Sequence, residues 1–304
     1  MLISKNVRIG RIISGTGRYA ALDLLICVAA FLVNEYVVSR YFVFPAVIPT
    51  ILGTALAFFV GFNNNQSYDR WWEARKIWGA IVNDSRTWAR QIIQYTTSSE
   101  SLSEAELLSL RRIAVKRHIA FLYALKKNLR KSGVSEHDKF IDPEEFAYVE
   151  KDMNVPNAIL SYQSKLVEDL YKREAIDGFQ FMEMNRMVVN FCDEMGKSER
   201  IANTVFPTTY NYYTRSFIWI FIISTTMVTA NSIGPWSVLF GALVGYVFLT
   251  THSVGQALVN PFEPLPTGVP LDQITRTIEI NLLQMLGETD IPEPVQSVDG
   301  EYVL

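Results

Sequence analysis

Thr54, Phe58 and Phe62 recur at i, i+4 and i+8, so on a helix they fall close to one line. Gly53 and Gly61 lie beside them as small-residue positions where a neighbouring helix can approach closely. Asn63, Asn64 and Asn65 follow at once. An aromatic line ending in amides suits the lining of a narrow pore repeated about a symmetry axis. A hydrophobic constriction can gate by dewetting, and aromatic rings offer a positive edge to an anion and a negative face to a cation. Spacing alone favours the plainer reading, a stripe facing lipid or packed on a neighbouring helix.

Asp23 and Glu35 stand in an otherwise apolar stretch. A carboxylate at bilayer depth is costly, so it faces protein or water and finds a partner. Arg215 is the candidate partner for Asp23, which suits either a structural ion pair or a place on an ion pathway. Glu35 sits close enough to a membrane interface to need no such explanation.

Other chemistry is poorly supplied. His118, His137 and His252 are scattered and share no metal-ligand spacing with Cys27 or Cys192. No Walker loop, nucleophile elbow or dinucleotide fingerprint occurs. The sequence therefore predicts no catalytic residue, no metal site and no cofactor, and the chain is read as not an enzyme. A net charge of −3 on 304 residues gives no reason to expect a nucleic-acid partner.

The elements that position these residues follow from hydropathy. With 49% hydrophobic and 19% charged residues, the chain mixes lipid-embedded spans with a sizeable polar part. A first span runs from Tyr19 to about Phe42 and a second from Phe44 to Phe62, with Pro45 and Pro49 at its start, where a missing amide hydrogen is tolerated. Residues 63–213 carry charges every few positions with apolar residues at helical spacing, and read as helical and water-soluble. The segment QSYDRWWEARKIWGAIVNDSRTWAR reads as an amphipathic helix leaving the membrane. Within SLSEAELLSLRRIAVKRHIAFLYALKKNLRKSG, Ser101 or Ser103 offers an N-cap and Gly133 a C-terminal stop. The run Lys126, Lys127, Arg130, Lys131 reads as a solvated helix end rather than a lipid-headgroup contact. A break follows at 138–156, then helices at about 158–173 and 177–200. A second apolar pair fills 214–258, and a helix at about 271–286 lies in the tail.

The expected organisation is thus an N-terminal segment 1–18, a membrane hairpin 19–62, a helical region 63–213, a second hairpin 214–258 and a tail 259–304. Of 28 lysines and arginines, only Arg40 falls in a short connection between paired spans. The positive-inside rule then places both termini and residues 63–213 in the cytosol of a multi-pass protein of the cell membrane.

Four separated blocks resemble the bestrophin family in its prokaryotic branch: VGFNNNQSYDRWWEARKIWG, ERIANTVFPTTY, NPFEPLPTGVPLD and DQITRTIEINLLQM. Each block alone is modest, but their order and spacing cover nearly the whole chain. The resemblance implies an all-α membrane protein with four transmembrane helices in two hairpins and a helical cytosolic region, assembled as a homopentamer around a central pore. It implies that the second span of each subunit lines a narrow neck through Thr54, Phe58 and Phe62, with Asn63, Asn64 and Asn65 close by. This tips the stripe towards the pore reading. Thr54 departs from the larger apolar residue usual at its position, giving a wider and more polar outer ring.

The resemblance further implies passive conduction of inorganic ions across a lipid bilayer, with chloride the first choice and monovalent cations the alternative. A second constriction at the cytosolic end is implied without a residue to carry it. Animal members follow the Asn-Pro-Phe block with an acidic run that clasps calcium. Here Glu263 to Val269 holds one carboxylate, too few for a cation that takes six to eight oxygens, so no calcium activation through this segment is expected. A secondary transporter would show inverted repeats, which the sequence lacks; a membrane scaffold would tolerate charge on the stripe.

Overall fold

The computed structural model describes residues 9–204, 208–298 and 300–304. Residues 1–8 of the N-terminal segment, and Val205, Phe206 and Pro207 of the block before the third span, lie outside the described residues. Among those described, the chain is helical, with two isolated β-bridges and no named strand. The helices are α1 (Ile9–Tyr36), α2 (Val47–Tyr95), α3 (Glu104–Arg130), α4 (Pro143–Val149), α5 (Val155–Lys172), α6 (Gly178–Asn203), α7 (Thr208–Ile233), α8 (Trp236–Gln256) and α9 (Leu271–Met285).

Four of these, α1, α2, α7 and α8, are long and apolar enough to cross a membrane. The chain is therefore an all-α membrane protein. α1 begins ten residues before the first predicted span, because Gly15 and Gly17 do not stop a helix whose backbone bonds continue, and Thr16 ties this end to Tyr246 of α8 at 3.1 Å.

α2 is one unbroken helix of 49 residues. The boundary expected after Phe62 falls inside it, since Asn63–Asn65 form no turn and helix-favouring Gln, Glu, Ala, Arg and Lys residues follow. Pro49 sits in its first turn, where proline does least harm.

The chain divides into two compact units. One comprises the described residues up to Trp71 together with 208–259. In it α8 packs on α7 and α1, and α7 on α1. Its core joins Cys27, Leu56, Val60, Ile218, Phe221, Ile222 and Leu249. Leu25, Leu239, Phe240, Leu243 and Val247 point outward, as a surface meeting lipid requires. α8 approaches its neighbours through Gly241 and Gly245. A side-chain carbon on Gly241 would strike Thr226 Oγ1 and meet Cys27 Sγ at 3.2 Å.

The other unit comprises Trp72–Thr204 and Asn260–Leu304. α3 is its centre, buried almost continuously from Ala114 to Leu125 and packed by α5, α6 and α9. Ser103 is the N-cap, forming a capping box with Glu106. The helix stops at Lys131, which adopts φ 51°, so the lysine and not Gly133 takes the left-handed position.

The basic run is not a solvated end. Lys126 and Arg130 reach across to Asp272 of α9 at 3.0 and 2.6 Å, Lys126 also pairs with Glu136, and Lys127 pairs with Glu150 at 3.4 Å. The break expected at 138–156 contains α4, started by Asp142 as N-cap and Pro143 at its first position.

Candidate functional site

α2 has two faces in the membrane unit. Leu56, Val60, Asn63 and Ser67 form its buried ridge. Thr54, Phe58 and Phe62 lie on the opposite side, all exposed, with Phe58 at 71% and Phe62 at 51%. Val47, Ile51, Asn65 and Asp69 extend this line above and below by helical periodicity, and all are exposed. Among the described residues, no other part of the membrane unit covers it. Phe58 is braced edge-on by Phe59 (6.1 Å between ring centroids), and Phe59 by Tyr210 of α7, whose hydroxyl donates to the Phe59 carbonyl at 3.0 Å. Thr54 donates to the Thr50 carbonyl at 3.0 Å, which leaves the hydroxyl oxygen able to accept. Behind it, Gly53 presses against the ring of Phe221, with only 2.9 Å left for a side-chain carbon.

The three asparagines separate. Asn65 stays on the exposed line. Asn64 turns to α8, donating through Nδ2 to the Thr251 carbonyl at 3.0 Å and laying Oδ1 against Gly255. Asn63 is fully buried, its Nδ2 3.5 Å from the same glycine's side-chain direction, and both its amide atoms lack a partner. One amide therefore continues the stripe, one ties the helix to α8, and one is packed without a hydrogen bond against the same glycine.

Asp23 and Arg215 do not pair. The Asp23 carboxylate is fully buried between α1 and α8, taking a long contact from the Cys27 thiol at 3.7 Å and lying with Oδ2 2.6 Å from the position a side chain on Gly245 would occupy. Thr226 Oγ1 of α7 stands 3.5 Å from Cys27 Sγ, which extends the contact into a polar thread from α1 to α7. Arg215 instead sits over the ring of Tyr19, 5.9 Å from its centroid. The expected ion pair is replaced by a cation–π contact on one side and a close helix crossing on the other. The glycines that permit this crossing were legible in the sequence as the G-x-x-x-G spacing of Gly241 and Gly245.

In the polar unit, α2, α3 and α6 enclose a second group of buried polar residues with no sequence signature. Ser85 of α2 donates to the Ile81 carbonyl at 2.5 Å and lies 2.8 Å from His118 Nε2 of α3. With its proton so committed, the hydroxyl can only accept from His118. Burial pushes that imidazole down to about 3, so it is neutral. Asn190 of α6 donates to Asp84 of α2 at 2.9 Å. One turn further along α6, Glu194 is 6% exposed and its Oε2 has no partner. Among the described residues, no group of three or more His, Cys, Asp or Glu side chains is arranged to hold a metal ion.

Comparison with known proteins agrees with this architecture. The bacterial bestrophin homolog from Klebsiella pneumoniae superposes with a TM-score of 0.81 at 23% identity, covering 88% of this chain and 97% of that one, which establishes the shared fold. The voltage-dependent anion channel-forming protein YneE of Escherichia coli K12 is 29% identical over 247 residues, 81% of this chain and 78% of that protein. Its namesake in Salmonella typhi is 26% identical over 284 residues, 93% of this chain and 90% of that protein. The family profile described as Bacterial/Fungal Bestrophin protein matches residues 6–284. With four apolar spans, the buried ridge of α2 and a profile match over most of its length, this chain belongs to the bacterial and fungal bestrophin family.

Proposed function

We propose that the chain is one subunit of a homopentameric anion channel in which Thr54, Phe58 and Phe62 of five α2 helices form a narrow neck around the central axis. The observation that carries this reading is the two-faced character of α2. Its buried ridge is fully used within the subunit, whereas the aromatic stripe is left without a partner. A stripe meant only for lipid has no need of Asn65 and Asp69 on the same line. Relatives that cover most of the chain carry the name voltage-dependent anion channel-forming protein. Phe58 and Phe62 would favour partly dehydrated anions through their ring edges and would gate by dewetting.

In this reading the polar unit lies in the cytosol with both termini, and conduction is passive and monovalent. Calcium plays no part at the Asn260–Val269 loop. Its single carboxylate, Glu263, accepts from Asn260 at 3.0 Å, and one carboxylate falls short of a calcium shell.

A second reading, a monovalent cation channel of the same fold, is favoured by Asp69, which would add a ring of carboxylates below Phe62. Reversal potentials in a planar bilayer under a salt gradient separate the two, for wild type and Phe58→Ala. A value near the chloride equilibrium supports the anion reading, and a value near that of sodium or potassium supports the cation reading. Altered conductance in Phe58→Ala places the ring in the ion path. A folded oligomer that passes no current under any gradient returns the chain to the transporter or scaffold class.

A further inference from the structure

Glu194 is a carboxylate in the wrong place for a purely structural residue. It belongs to α6, faces the second half of α2, and is only 6% exposed. A buried carboxylate is ordinarily paired with a cation or held by several donors, yet among the described residues Glu194 makes no ion pair and its Oε2 has no hydrogen-bond partner. The charges that act on it are Asp84 from α2 and, from its own helix, Lys197 and Asp193. The ionisable group that α3 brings to this contact, His118, is neutral and already committed to Ser85. No charge from α5, which also packs on α6, acts on it among the described residues. Among the described residues, the one cation acting on it, Lys197, is thus set against two acids.

Asp84 is fixed in this position by Asn190, one turn before Glu194, which donates to its Oδ2 at 2.9 Å. Two carboxyl groups are therefore presented to one another across the α2–α6 contact. Two acids are too few oxygens for a divalent cation, which needs at least six. They suffice for the smallest cation, a proton on one of them, as paired carboxylates in dry sites show.

We propose that Glu194, set against Asp84 across the α2–α6 contact, is a proton-binding site through which pH on the polar side controls the packing of α2. With the proton in place, α6 presents a neutral acid to α2. When the proton leaves, two negative charges face each other at a contact where Glu194 is buried and Asp84 half-buried, and the contact loosens. Burial, and secondarily the Asp84 charge, push the Glu194 carboxyl up to about 8, so the change falls at physiological alkalinity. Because α2 is continuous, the same helix carries Asp84 and the Thr54–Phe58–Phe62 stripe. The consequence for ion flow rests on the channel reading above; the proton site itself does not.

The test has two readouts on the intact detergent-purified or reconstituted protein. Infrared difference spectra recorded across about pH 6.5 to 9 should show a protonated carboxyl band that disappears with a midpoint near 8 in wild type. The band should be absent from Glu194→Gln, and in Asp84→Asn its midpoint should move to lower pH by about one unit. In bilayers, open probability should change about two-fold or more over the same range in wild type and lose that change in Glu194→Gln. A spectrum without the band, or the same band in Glu194→Gln, overturns the site. Currents whose pH profile is the same in wild type and Glu194→Gln overturn the coupling to α2. Absence of current at every pH counts against the channel reading alone, and the infrared result still decides the site.

Discussion

The carboxylate of Asp23 lies directly on the backbone of Gly245, with its Cγ 2.8 Å from where a side-chain carbon on that glycine would stand. A buried acid and a bare helix surface are here one feature: the acid fits because the glycine is a glycine. Gly245→Ala should therefore overpack the α1–α8 crossing and lower stability by about 1–3 kcal/mol. Thermal unfolding in detergent checks this, and Asp23→Ala introduced alongside should recover most of the loss. If the double variant is no better than Gly245→Ala, the clash lies elsewhere.

Gly255 plays the corresponding part against Asn64, whose Oδ1 occupies the space a methyl group would need. Gly255→Ala should force the Asn64 amide off the Thr251 carbonyl and cost about 1–3 kcal/mol. Asn64→Ala should relieve the overlap, leaving only the lost hydrogen bond, about 1 kcal/mol. Comparing melting temperatures of the two single variants and the double variant gives the coupling.

Asp272 holds Lys126 and Arg130 together at the α3–α9 contact. Burial pushes its carboxyl up, but the bonds from Arg130 and Lys126 outweigh this and hold it below the usual carboxylate range. A depressed carboxyl contributes stability above its unfolded value and loses it as pH falls through the folded one. Asp272→Asn should then cost about 2 kcal/mol at neutral pH, less than for a fully buried pair because the aspartate remains partly exposed. The difference from wild type should shrink on acidification, as melts at neutral and acidic pH would show.

For Glu194 the sign is opposite. Its folded value, about 8, lies above the ordinary 4.5. The stability it contributes is complete below 4.5 and is lost as pH rises through 8. Wild type should melt lower at about pH 9 than at about pH 6, and Glu194→Gln should remove most of that difference. Equal slopes in the two proteins would mean that other groups carry the alkaline loss.

Much of this was legible before any coordinates. Apolar runs fixed the four spans, because a lipid-crossing helix must satisfy its backbone internally and clothe itself in apolar side chains. The capping chemistry of Ser103 and the apolar spacing of α9 placed helices of the polar unit within a few residues. The spacing of Thr54, Phe58 and Phe62 marked one line, which the structure leaves exposed. What escaped was the identity of partners. Asp23 and Arg215 have the right charges, but a helix crossing set by Gly241 and Gly245 took the acid and Tyr19 took the guanidinium. Lys126 and Arg130 looked like a wet helix end because their counter-charge, Asp272, is remote in sequence. Glu194 has no local pattern at all, since its environment is assembled from three helices.

The continuity of α2 also bears on how such a chain can change over generations. Loops absorb inserted residues, but an added residue between Phe58 and Phe62 would turn the residues after it by about 100° relative to those before. Thr54 and Phe58 could then keep their bearing only if Phe62, Asn63 and Ser67 gave up theirs. Point substitution is open to this stretch, whereas lengthening or shortening it is not, and its length should be among the least negotiable quantities in the protein.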